Sequence, residues 1–312
     1  MRRSVLWLAA GLLAAGCSSP PKPARPVDPD LQRYASSAQV SFRHGAYGQA
    51  EQLYRRALDR ARAADDAREI GNNAYNLAAC LVALGRDEAA RPLLREARAE
   101  LERARQNTAE VILLEAGAAR NLGQGEEAAA LVEESRARLD RDRNGALWIQ
   151  AALLEAQLAA DGNDAPRAFR VLASIEKDLE RKGDALLNGR AAGLQARITW
   201  MTGQPAVAAS WLDREAAGYR KAGRPPHEIA AVLRRAGEAW GQAGQPAESA
   251  DRYYRAARSL FGQGDTVAAL KCIEPALAAA EKAGRPDLAA RIADLFLEIR
   301  RKTGAIEPEE TK

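Results

Sequence analysis

The sequence is poor in aromatic residues, has only two histidines and three cysteines, and contains no apolar run long enough to cross a bilayer. Aromatic residues make up 5% of the 312 positions, whereas 47% are hydrophobic and many of these are alanine. Strands favour β-branched and aromatic side chains, while alanine favours closely packed helices, so an all-β fold is excluded. His44 and His227 are too few to build a histidine zinc site, and no cofactor is predicted.

The charge of the chain is nearly balanced. Lys and Arg number 46 and Asp and Glu 42, which gives a formal net charge of +4. Arg2 and Arg3 lie in a segment that we predict is removed, which leaves about +2 on the mature chain. This balance does not indicate a nucleic-acid partner.

The first residues have the order of a secretory signal. A positive start is followed by an apolar run over residues 5–13, which is too short to span a membrane, and by Ala14, Ala15 and Gly16 directly before Cys17. This order predicts a signal peptide over residues 1–16 and resembles the lipobox of bacterial lipoproteins. The resemblance implies that Cys17 becomes the lipidated N-terminus, and Ser18 after it implies an outer-membrane destination. An ordinary signal peptide with an incidental Cys17 is the alternative.

Residues 17–30 are rich in proline and cannot pack a core, so we predict an extended tether. At about 3.1 Å per residue, the tether would hold the folded part some 30 to 40 Å from a membrane surface. The other cysteines, Cys80 and Cys272, are predicted to lie several repeats apart and to remain unpaired, because a disulfide needs Cα atoms within about 7 Å.

Glycines mark a regular period through the rest of the chain. They recur every 38 to 41 residues, at Gly45, Gly85, Gly123, Gly162, Gly203, Gly244 and Gly284. A second series of breaks falls halfway between them, and prolines follow several of the glycines where a new helix would start. The pattern predicts about seven helical hairpins of about 40 residues, which is typical of a solenoid.

The residues inside the hairpins resemble the tetratricopeptide repeat. The first hairpin carries Tyr34, Ala38, Gly45, Tyr47, Ala50, Tyr54, Ala57 and Leu58, and the second carries Tyr75, Leu77, Ala78, Leu81, Gly85, Ala90, Leu94 and Ala97. Later repeats match more weakly, and a length near 40 residues resembles the long-helix variety of kinesin-light-chain-type arrays. Towards the C-terminus the pattern fits equally well half a period out of step, which leaves the helix phase there open.

The resemblance implies an all-α fold, a right-handed α-solenoid over residues 31–304 followed by a polar tail over residues 305–312. It also implies that the first helix of each hairpin lines a concave groove that holds a protein or peptide partner. The register predicts the groove residues to be Phe42, Arg43, Tyr75, Val82, Arg120, Arg197, Trp200, Met201, Arg234 and Glu238.

Motifs for chemistry are few. A zinc-protease start at His227-Glu228 lacks its second histidine, because position 231 is alanine, and the glycines at 123 and 125 follow a predicted helix rather than the strand that a dinucleotide fingerprint needs. Residues 140–145 match the first half of a calcium-binding EF-hand loop, but position 151 is alanine where the bidentate carboxylate belongs. A capped turn is the alternative for this loop.

These observations lead us to expect a non-enzymatic scaffold or adaptor, anchored by lipid to the outer membrane and facing the periplasm. Its resemblance in layout to outer-membrane repeat lipoproteins implies roles such as assembling a pilus, a secretion channel or an outer-membrane complex, or regulating a cell-wall enzyme. The alternative is a periplasmic lipoprotein that binds a small ligand or glycan, which would need a deep pocket with convergent polar groups.

Overall fold

The computed structural model describes residues 28–302, so the predicted signal peptide, Cys17, most of the tether and the tail over residues 305–312 lie outside the described residues. The described part is all helical and contains no strand. Its helices are α1 (Pro29–Arg43), α2 (Tyr47–Ala63), α3 (Ala67–Ala83), α4 (Asp87–Arg103), α5 (Ala109–Asn121), α6 (Gly125–Ala137), α7 (Gly145–Asp161), α8 (Ala165–Ser174), α9 (Glu176–Lys182), α10 (Ala185–Met201), α11 (Pro205–Lys221), α12 (Pro226–Gln242), α13 (Pro246–Gly262), α14 (Thr266–Lys282) and α15 (Pro286–Lys302).

The helices pair into seven hairpins, as the glycine period predicts, and the fourth hairpin has its second helix divided into α8 and α9. Helix α1 begins at Pro29, capped by the Asp28 carboxylate, so the last two residues of the predicted tether are helical. No helix between residues 28 and 302 is long and apolar enough to cross a membrane.

Most turns within the hairpins use the glycines that mark the period. Gly45, for example, has a φ of 76°, a left-handed conformation that glycine adopts without strain. Gly162 is the exception to the prediction, because its φ is −77° and the left-handed residue is Asn163, one position later. Asparagine tolerates this conformation better than most residues, so the turn keeps its shape with the glycine displaced by one position.

The core is divided along the chain. Buried apolar side chains form four successive clusters, which span residues 31–118, 113–151, 149–198 and 196–299. Each cluster draws on helices that are near neighbours in sequence, as expected when a repeat buries its faces only against adjacent repeats. Cys80 and Cys272 lie in different clusters and are buried free thiols, and burial raises the pKa of Cys80 to about 12.

Small residues allow the helices to approach closely where they cross. Ala38 and Ala50 in the first hairpin and Ala78 and Ala90 in the second are completely buried. A close crossing of two glycines joins α10 and α11. A Cβ atom added at Gly218 would lie 2.8 Å from the Cα of Gly189 and 2.9 Å from the carbonyl oxygen of Ala185.

We therefore expect Gly218→Ala to force α10 and α11 apart and to lower the free energy of unfolding by about 1 to 3 kcal/mol. Gly262→Ala is the matched control, because a Cβ there meets nothing within 4 Å. Chemical denaturation of the two variants and the parent measures the difference. Equal loss of stability in both variants, or none in Gly218→Ala, would contradict the crossing.

The same pair of helices encloses an acidic side chain. Glu215 of α11 is 6% exposed, and its carboxylate lies against Gly193 of α10, where an added Cβ would meet the Glu215 Oε1 atom at 2.5 Å. Arg235 of α12 lies 3.5 Å from the other carboxylate oxygen. Burial raises the pKa of Glu215 above its usual range, and Arg235 opposes this shift only in part.

Because the folded chain binds the Glu215 proton more tightly than the unfolded chain, Glu215 destabilises the fold increasingly as the pH rises above about 4. We expect Glu215→Gln to raise the midpoint of thermal unfolding at pH 7 and to have little effect near pH 4. Melting curves across this range test the prediction, with exposed Glu298→Gln as the control. A Glu215→Gln effect that is constant with pH, or a loss of stability at pH 7, would refute it.

Candidate partner-binding cleft

The first helices of successive hairpins build a cleft that we name the concave cleft, after the face that the tetratricopeptide resemblance assigns to these helices. It has a volume of ≈ 380 Å³ and draws its lining from α3, α5, α7 and α10, so four hairpins contribute to it. Its lining residues are Tyr75, Glu110, Leu113, Leu114, Gly117, Leu147, Gln150, Leu153, Leu154, Gln157 and Arg190. All of these residues lie on the first helices of their hairpins.

The chemistry of the cleft changes from one end to the other. At one end the Tyr75 hydroxyl donates a hydrogen bond of 2.8 Å to Glu110, and burial raises the pKa of Tyr75, with Glu110 adding to the shift. The middle combines leucines with the amides of Gln150 and Gln157. At the other end Arg190 is exposed and forms no ion pair within the described part of the chain.

Amide side chains both donate and accept hydrogen bonds, so Gln150 and Gln157 can pair with the backbone of an extended segment. Leu147 and Leu154 can contact its apolar side chains, and Arg190 can meet an acidic group. Gly117 leaves the floor open, because a Cβ atom added there would meet nothing within 4 Å. The cleft is therefore suited to a peptide segment with mixed apolar and acidic character.

The ten groove residues predicted from the sequence do not all lie in this cleft. Tyr75 lines it, whereas Arg197, Trp200 and Glu238 line a second cleft of ≈ 220 Å³ between α10, α11 and α12. Arg120 lines a third cleft of ≈ 900 Å³ between the third and fourth hairpins. These three clefts share no lining residue.

The remaining predicted residues have other surroundings. Phe42 packs edge-to-face on Tyr47, with ring centroids 5.1 Å apart, and Phe42 and Val82 are half-buried against the N-terminal core. Met201 is half-buried against the core of the fourth and fifth hairpins. Arg43 and Arg234 are exposed on α1 and α12.

Two of the predicted arginines already have a partner within the chain. Arg120 and Arg197 both bind Asp161 at the end of α7, with shortest distances of 2.5 and 2.6 Å, so one carboxylate joins α5, α7 and α10. Burial by itself would raise the pKa of Asp161, but hydrogen bonds from the two arginines hold it below its usual range. Arg120 and Arg197 therefore have a structural role in addition to any contact with a partner.

Most residues that line the concave cleft are not among the ten predicted groove residues, because the third and fourth hairpins match the repeat pattern weakly. The sequence signal that could have indicated this cleft is a second row of apolar residues along α7. In α7 the residues Leu147 and Leu154, seven apart, lie beside Gln150 and Gln157, also seven apart, and both leucines are only half-buried at the edge of the core. A helix with leucines on two faces indicates that both faces are covered or bind something.

The EF-hand-like loop is filled by a side chain. The Asp140 carboxylate accepts hydrogen bonds from the backbone N–H groups of Asp142 and Arg143, as expected of a capped turn. The Lys182 ammonium donates to the carbonyl oxygens of Arg141 and Asp142, at 3.1 and 2.7 Å. Between residues 28 and 302 there is no cluster of three or more His, Cys, Asp or Glu side chains that could hold a metal ion.

Comparison with solved structures identifies the architecture. A Rap protein in complex with competence and sporulation factor superposes with a TM-score of 0.54 over 88% of this chain and 99% of its own, at 12% identity. PilW, a type IV pilus biogenesis factor, superposes with a TM-score of 0.52 over 73% of this chain and 92% of its own, at 15% identity. The chain has a tetratricopeptide-like fold.

A third similar structure is a signal transduction ATPase with numerous domains from Pyrococcus horikoshii, which carries a tetratricopeptide repeat sensor. It superposes with a TM-score of 0.52 over 82% of this chain at 15% identity, and the chain spans 41% of its length. No family model matches the sequence, and no curated protein matches it either. The tetratricopeptide-like solenoid thus rests on structural similarity and on the repeat residues.

Proposed function

We propose that this protein is a scaffold that holds a segment of a partner protein in its concave cleft and has no catalytic activity of its own. The observation that carries the proposal is the cleft shared by α3, α5, α7 and α10. Because four successive hairpins contribute to it, the cleft runs across the repeats and suits a chain segment. It is open to solvent, which favours a peptide over the small ligand or glycan of the alternative hypothesis.

We further propose that the scaffold is anchored by lipid on Cys17 to the outer membrane and works in the bacterial envelope. The signal-like residues 1–16 and the proline-rich residues after Cys17 support the anchor. The similarity to PilW, a pilus biogenesis factor, supports assembly of an envelope complex as the process, and the Rap protein bound to a competence and sporulation factor is an example of this fold with a bound factor.

Blocking the cleft tests the first proposal. Gly117→Trp places an indole over the cleft floor, where no atom lies within 4 Å of a new Cβ, so the fold should tolerate it. We expect the partners that crosslink to the parent in cells to be reduced at least tenfold in this variant. Gly262→Trp on α13 is the control, because it adds the same side chain at another open glycine outside the cleft.

A second pair of variants separates partner binding from internal pairing. Trp200→Ala with Arg197→Ala removes two residues of the cleft between α10 and α12, and Arg120→Ala removes the other arginine on Asp161. Loss of crosslinked partners in the double variant, but not in Arg120→Ala, would assign the cleft between α10, α11 and α12 to partner binding. Unchanged partners in both the double variant and Gly117→Trp would refute the concave groove.

The anchor is tested by Cys17→Ser. We expect the parent to fractionate with membranes and the variant to be released as a soluble periplasmic protein, because a serine cannot form the thioether to lipid. Labelling with a radioactive or clickable fatty acid provides an independent measurement. A variant that stays in the membrane fraction, or a parent without label, would contradict lipidation at Cys17.

A further inference from the structure

An apolar groove opens between the fourth and fifth hairpins, away from the concave cleft. Helix α10 forms its floor, α8 and α9 form one wall, and α11 forms the other, around a volume of ≈ 730 Å³. Two large apolar side chains on its walls are unusually accessible, since Phe169 is 55% exposed and Val207 is 42% exposed. The groove and the concave cleft share no lining residue.

Polar contacts with the loop between α6 and α7 fix the position of α8 and α9, which form one wall of the groove. The second helix of the fourth hairpin breaks at Ile175, and Arg141 binds both sides of the break. Its guanidinium donates to the Ser174 carbonyl oxygen at 3.3 Å and to the Asp178 carboxylate at 2.7 Å. Asp178 is only 2% exposed, and the hydrogen bond from Arg141 lowers its pKa, so the pair stays ionised.

Lys182 fixes the far end of α9 to the same loop through the carbonyl oxygens of Arg141 and Asp142. Helix α9 is therefore held against the loop between α6 and α7. The EF-hand-like residues thus act as the anchor of this short helix, which leaves the opposite side of α9 to face the groove.

Ion pairs join several other pairs of second helices from adjacent hairpins. Arg62 of α2 binds Glu96 of α4 at 2.6 Å, and Arg98 of α4 binds Glu134 of α6. Further along, Arg252 of α13 binds Asp213 of α11 at 2.8 Å. Within residues 28–302, no ion pair joins α8 or α9 to α11. The second helices that flank the groove therefore lack the direct ion pair that is present at the three junctions just named.

The charge on α9 is divided between its two sides. Arg181 and Lys182 bind Asp178 and Asp142 on the side of the loop. Glu176 and Glu180 line the groove and are exposed, and neither forms an ion pair with a described residue. The groove therefore combines a largely apolar interior with a negatively charged α9 side, while on the α11 side Arg214 stacks on Trp211, 4.4 Å from the ring centroid.

We propose that this groove binds an amphipathic helix of a second partner protein. The walls are helices whose backbone groups are already paired, so they offer no edge for a strand, whereas a helix can place apolar side chains at positions i, i+3, i+4 and i+7 between them. The negative charge on the α9 side selects a helix with Lys or Arg along that side, which can pair with Glu176 and Glu180. The proposal does not depend on the concave cleft.

A displayed library of helical peptides tests this groove on the full chain. Selection is carried out on the parent, on Phe169→Asp, and on Glu176→Lys with Glu180→Lys. We expect parent binders to combine apolar positions at helical spacing with Lys or Arg, and to bind Phe169→Asp at least tenfold more weakly. The charge-reversed variant should instead select peptides with Asp or Glu.

Two controls keep the result specific. Val267→Asp on α14 removes another exposed apolar side chain outside the groove, and Gly117→Trp blocks the concave cleft; both should bind the selected peptides like the parent. All variants should show the helix content and melting temperature of the parent. Failure to enrich any peptide, equal binding to Phe169→Asp, or the same charge preference after charge reversal would overturn the proposal.

A second copy of the chain is the competing occupant. Sedimentation equilibrium of the parent and of Phe169→Asp distinguishes it from a partner helix. We expect both to remain monomeric across the concentration range used for binding. A dimer in the parent that is lost in Phe169→Asp would assign the groove to self-association and overturn the proposed partner.

Discussion

The structure depends on how closely its helices can cross. Alanine and glycine at the crossings, such as Gly189 against Gly218, bring the helix axes near enough for each hairpin to bury its apolar faces on its neighbours. Large aromatic side chains are few, so the core gains its stability from many small, close contacts. The solenoid and its four successive core clusters follow from this packing.

The polar surface follows the same period. Arginines bind acidic side chains about one repeat away, as Arg98 does with Glu134 and Arg252 with Asp213. Exposed ion pairs contribute little free energy each, so their main effect is on the relative placement of adjacent hairpins. Where Arg141 binds Asp178 instead, α9 is held to the loop before α7, and the regular surface is interrupted by the apolar groove.

Much of the fold could be predicted from the sequence because its signals are local. A glycine in the left-handed backbone conformation ends a helix whatever its tertiary surroundings. Gly45 and Gly85 therefore locate turns without knowledge of the rest of the chain. The break at Ile175 could not be predicted in this way, because it depends on Arg141, which lies 34 positions earlier and binds the exposed carbonyl of Ser174.

The candidate sites were harder to predict because they too depend on contacts between residues that are far apart in sequence. Tyr75, whose repeat matches the tetratricopeptide pattern well, is the one predicted groove residue that lines the concave cleft. Arg190 and Gln150 were missed because their repeats match weakly, and the pairing of Arg120 and Arg197 with Asp161 depends on three helices that are distant in sequence. Such contacts follow from how the hairpins stack, and the spacing within one hairpin carries no information about them.

Crosslinking from a single residue tests most directly whether the concave cleft holds a partner protein. A photoreactive amino acid in place of Gln150 lies in the concave cleft, and the same residue in place of Arg95 lies on the exposed surface of α4. We expect irradiation of living cells to give a discrete adduct with one protein from position 150 and none of that adduct from position 95. The same adduct from both positions, or no adduct from position 150, would contradict the claim.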